Sequence, residues 1–208
     1  AQKQAAYEDI PGNYVFDAKR SRAGGGLNML CMSMMTGEGR NAFKETLQRL
    51  YPIGIIHDVL YHDDTKASID MNGYLTRLSA EIARANEAIN RGIRTELKVD
   101  AIELMPEQAT PLGLVTSEVL INAYKQAYPP DKGGLISIGL HDGHGQVELT
   151  ISSNGRGAEL QAGTALGGRL VRTLTTQLRG TSAFDAAQNG AFRLVFTKNE
   201  IRTLDPPA

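Results

Sequence analysis

Glu118, Asn122 and Lys125 follow one another at intervals of four and three residues, a spacing that sets a carboxylate, a carboxamide and an ammonium on one face of a helix. An amide oxygen is a hard ligand of the kind Mg²⁺ takes, and a lysine ammonium can meet a phosphate as a point charge. The same three residues have a plainer use: Asn122 bonding within its own helix, Glu118 and Lys125 as solvated surface charges. Downstream, Gly155 and Gly157 let backbone approach a ligand closely. Gly163, Gly167 and Gly168 precede or open a helix whose free amides suit phosphate. Glycine-rich turns are common in α/β domains, so they are a weak signal by themselves.

The imidazoles are His57, His62, His141 and His144, and the single thiol is Cys31. Cys31 lies in the apolar stretch Leu27-Asn28-Met29-Leu30-Cys31-Met32 and reads as a small buried hydrophobe; one cysteine excludes a disulfide scaffold. His62 follows a helix end beside Asp63 and Asp64 with no further clustered ligand, which argues against a metal site. His141 and His144 flank a hairpin turn.

The elements that must position these groups fall into two regions. In the first, Leu27, Leu30, Cys31 and Met34 recur at helical spacing, Thr36-Gly37-Glu38-Gly39 breaks the pattern, and Phe43, Leu47, Leu50, Ile56 and Leu60 resume it. Pro52 interrupts the second helix and is expected to kink it, since a mid-helix proline costs roughly 3 kcal/mol. Gly24-Gly25-Gly26 is either a weak point within the first helix or a linker before a helix that starts at Leu27. Two helices joined by so short a turn lie antiparallel, and a lone hairpin cannot cover its own apolar faces. A second copy of the chain would cover them in a dimeric four-helix bundle; packing against the rest of the same chain is the alternative.

In the second region, Tyr74, Leu75, Leu78 and Ile82 mark a helix, and Ile93–Val99 alternates apolar with polar as a half-buried strand does. The spacing predicts a long helix over Pro106–Tyr128. Strands are expected over Leu135–Leu140 and Gln146–Ile151 around Asp142-Gly143-His144-Gly145, then a helix near Leu166–Leu178. A last hairpin is expected from Ser182–Ala186 and Ala191–Phe196 around Asn189-Gly190. Helices on one face of a mixed sheet make an α/β sandwich. The fold class is thus α+β, with a helical hairpin over residues 1–66, a sandwich over 67–200 and a tail over 201–208.

With 208 residues, 41% of them hydrophobic, the chain can bury a real core. Lysine plus arginine (22) nearly balance aspartate plus glutamate (23), so no charge excess points to nucleic acid or an anionic membrane. No apolar run approaches the roughly 18 to 20 residues that span a bilayer, and the polar start Ala1-Gln2-Lys3-Gln4 is no signal peptide. A soluble, cytoplasmic piece is expected, and its start without methionine fits an upstream neighbour.

Three stretches resemble the ATP-binding domain of histidine kinases, gyrase and their relatives. Thr116-Ser117-Glu118-Val119-Leu120-Ile121-Asn122-Ala123-Tyr124-Lys125-Gln126-Ala127 resembles the N-box, written N-E-L-x-x-N-A-x-K-H-A. Ser153-Asn154-Gly155-Arg156-Gly157 resembles the D-N-G-x-G box, and Leu166-Gly167-Gly168-Arg169-Leu170-Val171 the second glycine box, in matching order and spacing. Arg49-Leu50 with Ile56-His57-Asp58-Val59-Leu60-Tyr61, continued by Asn72-Gly73-Tyr74-Leu75-Thr76-Arg77-Leu78, is similar to the HWE-like histidine kinases and those with the second type of dimerisation domain. The resemblance covers roughly residues 17 to 198. It implies a role for Glu118 in activating a phosphoacceptor, Asn122 as the Mg²⁺ ligand, and Lys125, Ser153, Gly155, Gly157 and Gly167 around ATP.

Departures from that pattern carry as much information. Ser153 stands where the family's aspartate accepts a hydrogen bond from the adenine amino group; a neutral acceptor is worth about half a charged one, so ATP affinity is expected to fall. Gln126 replaces the N-box histidine, and Ala165 takes a position commonly glycine or serine. In the phosphoacceptor box E-x-H-H-R-V-K-N-N-L-Q, setting Leu27-Asn28 on its end places Arg22 on the arginine and Ser21 on the acceptor histidine. No histidine precedes His57, and a serine hydroxyl without an activating base is a poor nucleophile.

The sequence therefore predicts a two-component output module that has lost autophosphorylation, a pseudokinase. It would act through contacts as a homodimer with an upstream sensor domain and a response regulator, with ATP and Mg²⁺ present only if the altered pocket still binds. Two alternatives stand beside it: a phosphotransfer protein or kinase that uses His57 or acts in trans, and an ATP-gated switch without phosphotransfer.

Overall fold

A computed structural model describes residues 51–57, 68–126, 128–129, 132–155, 165–185 and 191–200. The chain divides into two compact units, Ala1–Thr46 and Leu47–Ala208, and all described residues belong to the second. The expected first helix, its turn, Cys31, the glycine triplet and the dimer contact lie outside the described residues.

The elements in chain order are a helical segment over 51–57, β1 (Ile69–Asp70), α1 (Met71–Ala85), β2 (Ile93–Val99), β3 (Glu103–Leu104) and α2 (Pro106–Gln126). They continue with β4 (Gly134–Gly143), β5 (Gln146–Ser153), α3 (Ala165–Gln177), β6 (Thr181–Asp185) and β7 (Ala191–Thr197). One sheet runs β2-β4-β5-β7-β6, with β2 parallel to β4 and every other pair antiparallel; β1 and β3 form a separate two-stranded ladder. The sheet is mixed, as expected, because the long crossover through α2 returns the chain parallel to β2 while tight hairpins reverse it.

The β4–β5 turn is shorter than the sequence suggests. Pairing persists to Gly143 and Gln146, leaving His144 (φ 58°) and Gly145 (φ 84°) as a two-residue turn with both centres left-handed. The Asp142 side chain accepts from the Gly145 amide at 3.0 Å.

Period-two alternation sends Ile136, Ile138 and Leu140 of β4, Val147, Leu149 and Ile151 of β5, and Phe192, Leu194 and Phe196 of β7 into one buried face. The opposite face carries Glu148, held by both nitrogens of the Arg193 fork at 2.6 and 2.8 Å. That partner holds the Glu148 carboxyl below its ordinary pKa.

The helices cover the apolar face. Asp70 caps α1 by accepting from the amides of Asn72 (3.0 Å) and Gly73 (3.1 Å). Met71, Tyr74, Leu75, Leu78 and Ile82 form its buried stripe. α2 is buried almost all round, with Pro106 at its first position, where the missing N–H costs nothing. It is helical through Gln126, and Tyr128 lies outside the helix. Gln108, buried near the start of α2, ties it to the far end of the sheet: its amide donates to the Thr197 carbonyl and its oxygen accepts from the Asn199 amide, both at 2.8 Å.

Pro52 lies within the helical segment 51–57, whose Ile55 and Ile56 are 5% exposed and belong to the same core as α1, α2 and the sheet. The Tyr74 hydroxyl donates to the Pro52 carbonyl at 3.2 Å, and burial pushes its pKa up. A Cβ on Gly113 of α2 would overlap that hydroxyl.

Candidate functional site

Glu118, Asn122, Lys125 and Gln126 share one helical stripe of α2, at spacings of four, three and one. They grade from inside to outside: Glu118 is 2% exposed, Asn122 half-buried and Lys125 exposed. The reading of Glu118 as a solvated surface charge is therefore corrected, because it sits among core residues of α2. Gln126 is half-buried, and its Oε1 is fully buried with no hydrogen-bond partner among the described residues.

The end of α2 meets the end of β5. Arg91 donates to the carbonyls of Tyr124 (2.6 Å) and Tyr128 (3.4 Å), satisfying groups that a helix end leaves free. Tyr128, 5% exposed, turns its hydroxyl to the Leu135 carbonyl at 2.6 Å and to Asn154 Oδ1 at 3.1 Å. Asn154 Oδ1 also accepts from the Leu135 amide at 2.8 Å, while the Asn154 amide donates to the Leu135 carbonyl at 3.1 Å. Next to this knot Ser153 is 8% exposed. Burial raises the Tyr128 pKa, and the bonds with Asn154 and Leu135 pull it partly back.

Gly155 follows on β5's exit and is half-buried; Gly167 is buried in the first turn of α3, which packs against α2. The structure thus brings the end of β5, through Asn154, to Tyr128 just past α2 and sets α3 beside α2. Ser21, Gly157, Gly163 and His62 lie outside the described residues, as does the side chain of Ala165. His57 is exposed on the 51–57 segment; exposed His141 places Nδ1 3.3 Å from Asp100 Oδ2, and His144 occupies the β4–β5 turn. Among the described residues no three His, Cys, Asp or Glu side chains are grouped to hold a metal ion.

Tyr128 is the member of this site that the sequence did not disclose. Its only signal was an aromatic residue just after the N-box-like stretch and before Pro129-Pro130, where a helix must stop.

ATP with Mg²⁺ is the pair that the sequence resemblance implies, and the residues present fit it. A buried acceptor without a donor costs about 1–3 kcal/mol, and a bound cation or donor relieves that cost at Gln126 Oε1. Asn122, one turn earlier on the same stripe, adds a second carboxamide oxygen and Lys125 a positive charge, a donor set suited to a hard cation and phosphate.

The HisKA_2 histidine kinase family matches residues 25–86. Blue-light-activated histidine kinase 2 of Erythrobacter litoralis is 30% identical over 120 residues, 55% of this chain and 34% of that protein. Sensor histidine kinase PdtaS of Mycobacterium tuberculosis is 26% identical over 160 residues, 74% of this chain and 32% of that protein. The chain thus spans about a third of the length of these relatives. Among solved structures, the histidine kinase domain of the Erythrobacter litoralis EL346 blue-light activated histidine kinase superposes with a TM-score of 0.67 at 22% identity, covering 83% of both chains, a likeness of fold. The chain is thus similar to the HisKA_2 histidine kinases over residues 25–86 and shares the fold of a histidine kinase domain.

Proposed function

We propose that this chain is a signalling module of the two-component type that has given up autophosphorylation and passes its message through protein contacts. The observation that carries this reading is Ser21 at the acceptor position, with no histidine anywhere before His57. Phosphohistidine chemistry needs an imidazole on the first helix, and a phosphoserine would not hand its phosphoryl group onward as phosphoimidazole does. Residues 1–66 form the dimerising hairpin, 67–200 the ATPase-type domain and 201–208 a tail. The partners are a second copy of the chain, an upstream sensor and a response regulator, in the cytoplasm. Among the described residues no helix is long and apolar enough to cross a membrane.

The pocket between Asn122, Lys125, Ser153, Gly155, Gly157 and Gly167 keeps a weakened affinity for ATP with Mg²⁺ on Asn122. Bound ATP supplies a phosphoryl group and an adenine ring; Glu118, at the base position, has no histidine partner at residue 21 to activate. When the full chain is incubated with γ-labelled ATP and Mg²⁺, no acid-labile label is expected on it; stable phosphohistidine would sink the reading.

A second reading has one observation in its favour: His57 is exposed on its helical segment. If His57 were the acceptor, the label would appear and His57→Ala would remove it without dissolving the dimer.

A further inference from the structure

β2 is an edge of the five-stranded sheet, with β4 on one side and no strand on the other. The Gly92 carbonyl accepts from the Gly134 amide and the Asp100 amide donates to the Leu140 carbonyl, so the even-numbered residues between them turn their backbone groups to β4. The odd-numbered residues turn theirs outward. Ile93 commits its amide to the Ala88 carbonyl at 2.9 Å, but the N–H and C=O groups of Thr95, Leu97 and Val99 have no backbone partner among the described residues. An edge of this kind is a template for another strand.

The side chains determine which strand fits. Arg94, Glu96 and Lys98 are exposed on the face away from the helices and Asp100 follows in step, so charge alternates plus, minus, plus, minus along the edge. Arg94, Glu96 and Lys98 have no ion-pair partner among the described residues. Such a pattern is complementary to its own reverse. With Leu97 set opposite Leu97 of a second, antiparallel copy, Glu96 faces Lys98, Lys98 faces Glu96, and Arg94 faces Asp100 at either end. The same register brings the outward groups of Thr95 and Val99 together in hydrogen-bonding pairs. Slipping it so that Glu96 or Lys98 meets its own copy sets like charges opposite one another, and centring on Thr95 keeps only the Arg94–Glu96 pairs. Asp100 Oδ2 already faces His141 Nδ1 at 3.3 Å and the Asp142 amide at 3.2 Å, which leaves its other oxygen for Arg94.

On the helix side Leu97 and Val99 are half-buried at the margin of the core, so the edge is not fully covered there and an added strand would close over it. We propose that β2 is an interface for a second copy of this chain, joined edge to edge and antiparallel about Leu97, so that two sheets become one. This contact is separate from the helical hairpin and does not rest on the pseudokinase reading.

The register is tested by a mixed disulfide in the full chain carrying Cys31→Ser. Residues 96 and 98 would form a non-hydrogen-bonded pair with Cα atoms about 4.5 Å apart, within reach of a disulfide. Copies of the same residue would lie on the diagonal at roughly 7–8 Å, out of reach. Glu96→Cys chains mixed with Lys98→Cys chains are expected to cross-link about tenfold faster than either alone, and each cross-linked pair keeps its second Glu96–Lys98 contact. Charge reversal gives an independent readout. Glu96→Lys and Lys98→Glu each turn two attractions into repulsions, so self-association of either, followed by sedimentation equilibrium, is expected to weaken about tenfold. An equal mixture of the two, or both changes in one chain, should recover the original strength to within about threefold, which a merely unfolded variant would not do. Mixed cross-linking no faster than in the single variants overturns the proposal, and so does a mixture of the charge variants that associates no better than its components. The hairpin is common to every pairing and cannot produce either pattern.

Discussion

Gly113→Ala is expected to lower the unfolding free energy by about 3 kcal/mol, as overpacking costs roughly 1–3 kcal/mol and the displaced Tyr74 loses a hydrogen bond worth about 1 more. The new methyl group would overlap the Tyr74 hydroxyl, and ring atoms of Tyr74 lie close behind it. Neither side can yield cheaply: Tyr74 is 2% exposed and its hydroxyl is bonded to the Pro52 carbonyl. Tyr74→Phe alone should cost about 1 kcal/mol through that lost bond. In the Gly113→Ala background it should cost less or even stabilise, because removing the oxygen relieves the worst overlap. Urea midpoints of the two single variants and the double variant measure this coupling. Additive effects would show that the two groups do not compete for space.

Gln108→Leu is expected to cost about 2 kcal/mol although it places an apolar side chain in a buried position. The carboxamide satisfies two backbone groups at once, the Thr197 carbonyl and the Asn199 amide. Leucine removes both bonds, each worth about 1 kcal/mol; Thr197 and Asn199 are exposed, so water can satisfy their backbone groups in part. Hydrogen exchange at Asn199 gives a local check: its amide should lose protection even under conditions where the variant stays folded. Unchanged protection there would mean that another group takes over the bond.

These two positions also mark where sequence reasoning ran out. β2 was legible at Ile93–Val99 because a half-buried strand alternates by composition. α2, nearly all buried, was legible from length and its apolar residues. The β1–β3 ladder was not, since two-residue strands are too short for a period to show. The Gln108 bond spans 89 residues, and nothing local in a glutamine announces a distant carbonyl. Gly113 fell within a helix where glycine carries only a propensity penalty; its reason, the Tyr74 hydroxyl, arrives from another helix.

The candidate site divides in the same manner. Spacing along one helix placed Glu118, Asn122 and Lys125 on one stripe, which the structure retains, but spacing gave no depth, so the burial of Glu118 was legible only from the packing of α2. Ser153 was visible as a departure from a family pattern. The knot of Tyr128, Leu135 and Asn154 beside it was not, because its bonds join residues 7, 19 and 26 apart in sequence.

Segment 51–57 and α1 share Ile55, Ile56 and the bond from Tyr74 to Pro52. For one to slide past the other, both isoleucines would have to meet water, at about 3–6 kcal/mol for the pair. Torque applied at residue 51 is therefore felt at α1 with little slack, and over this stretch the strut and the sandwich turn as a single lever.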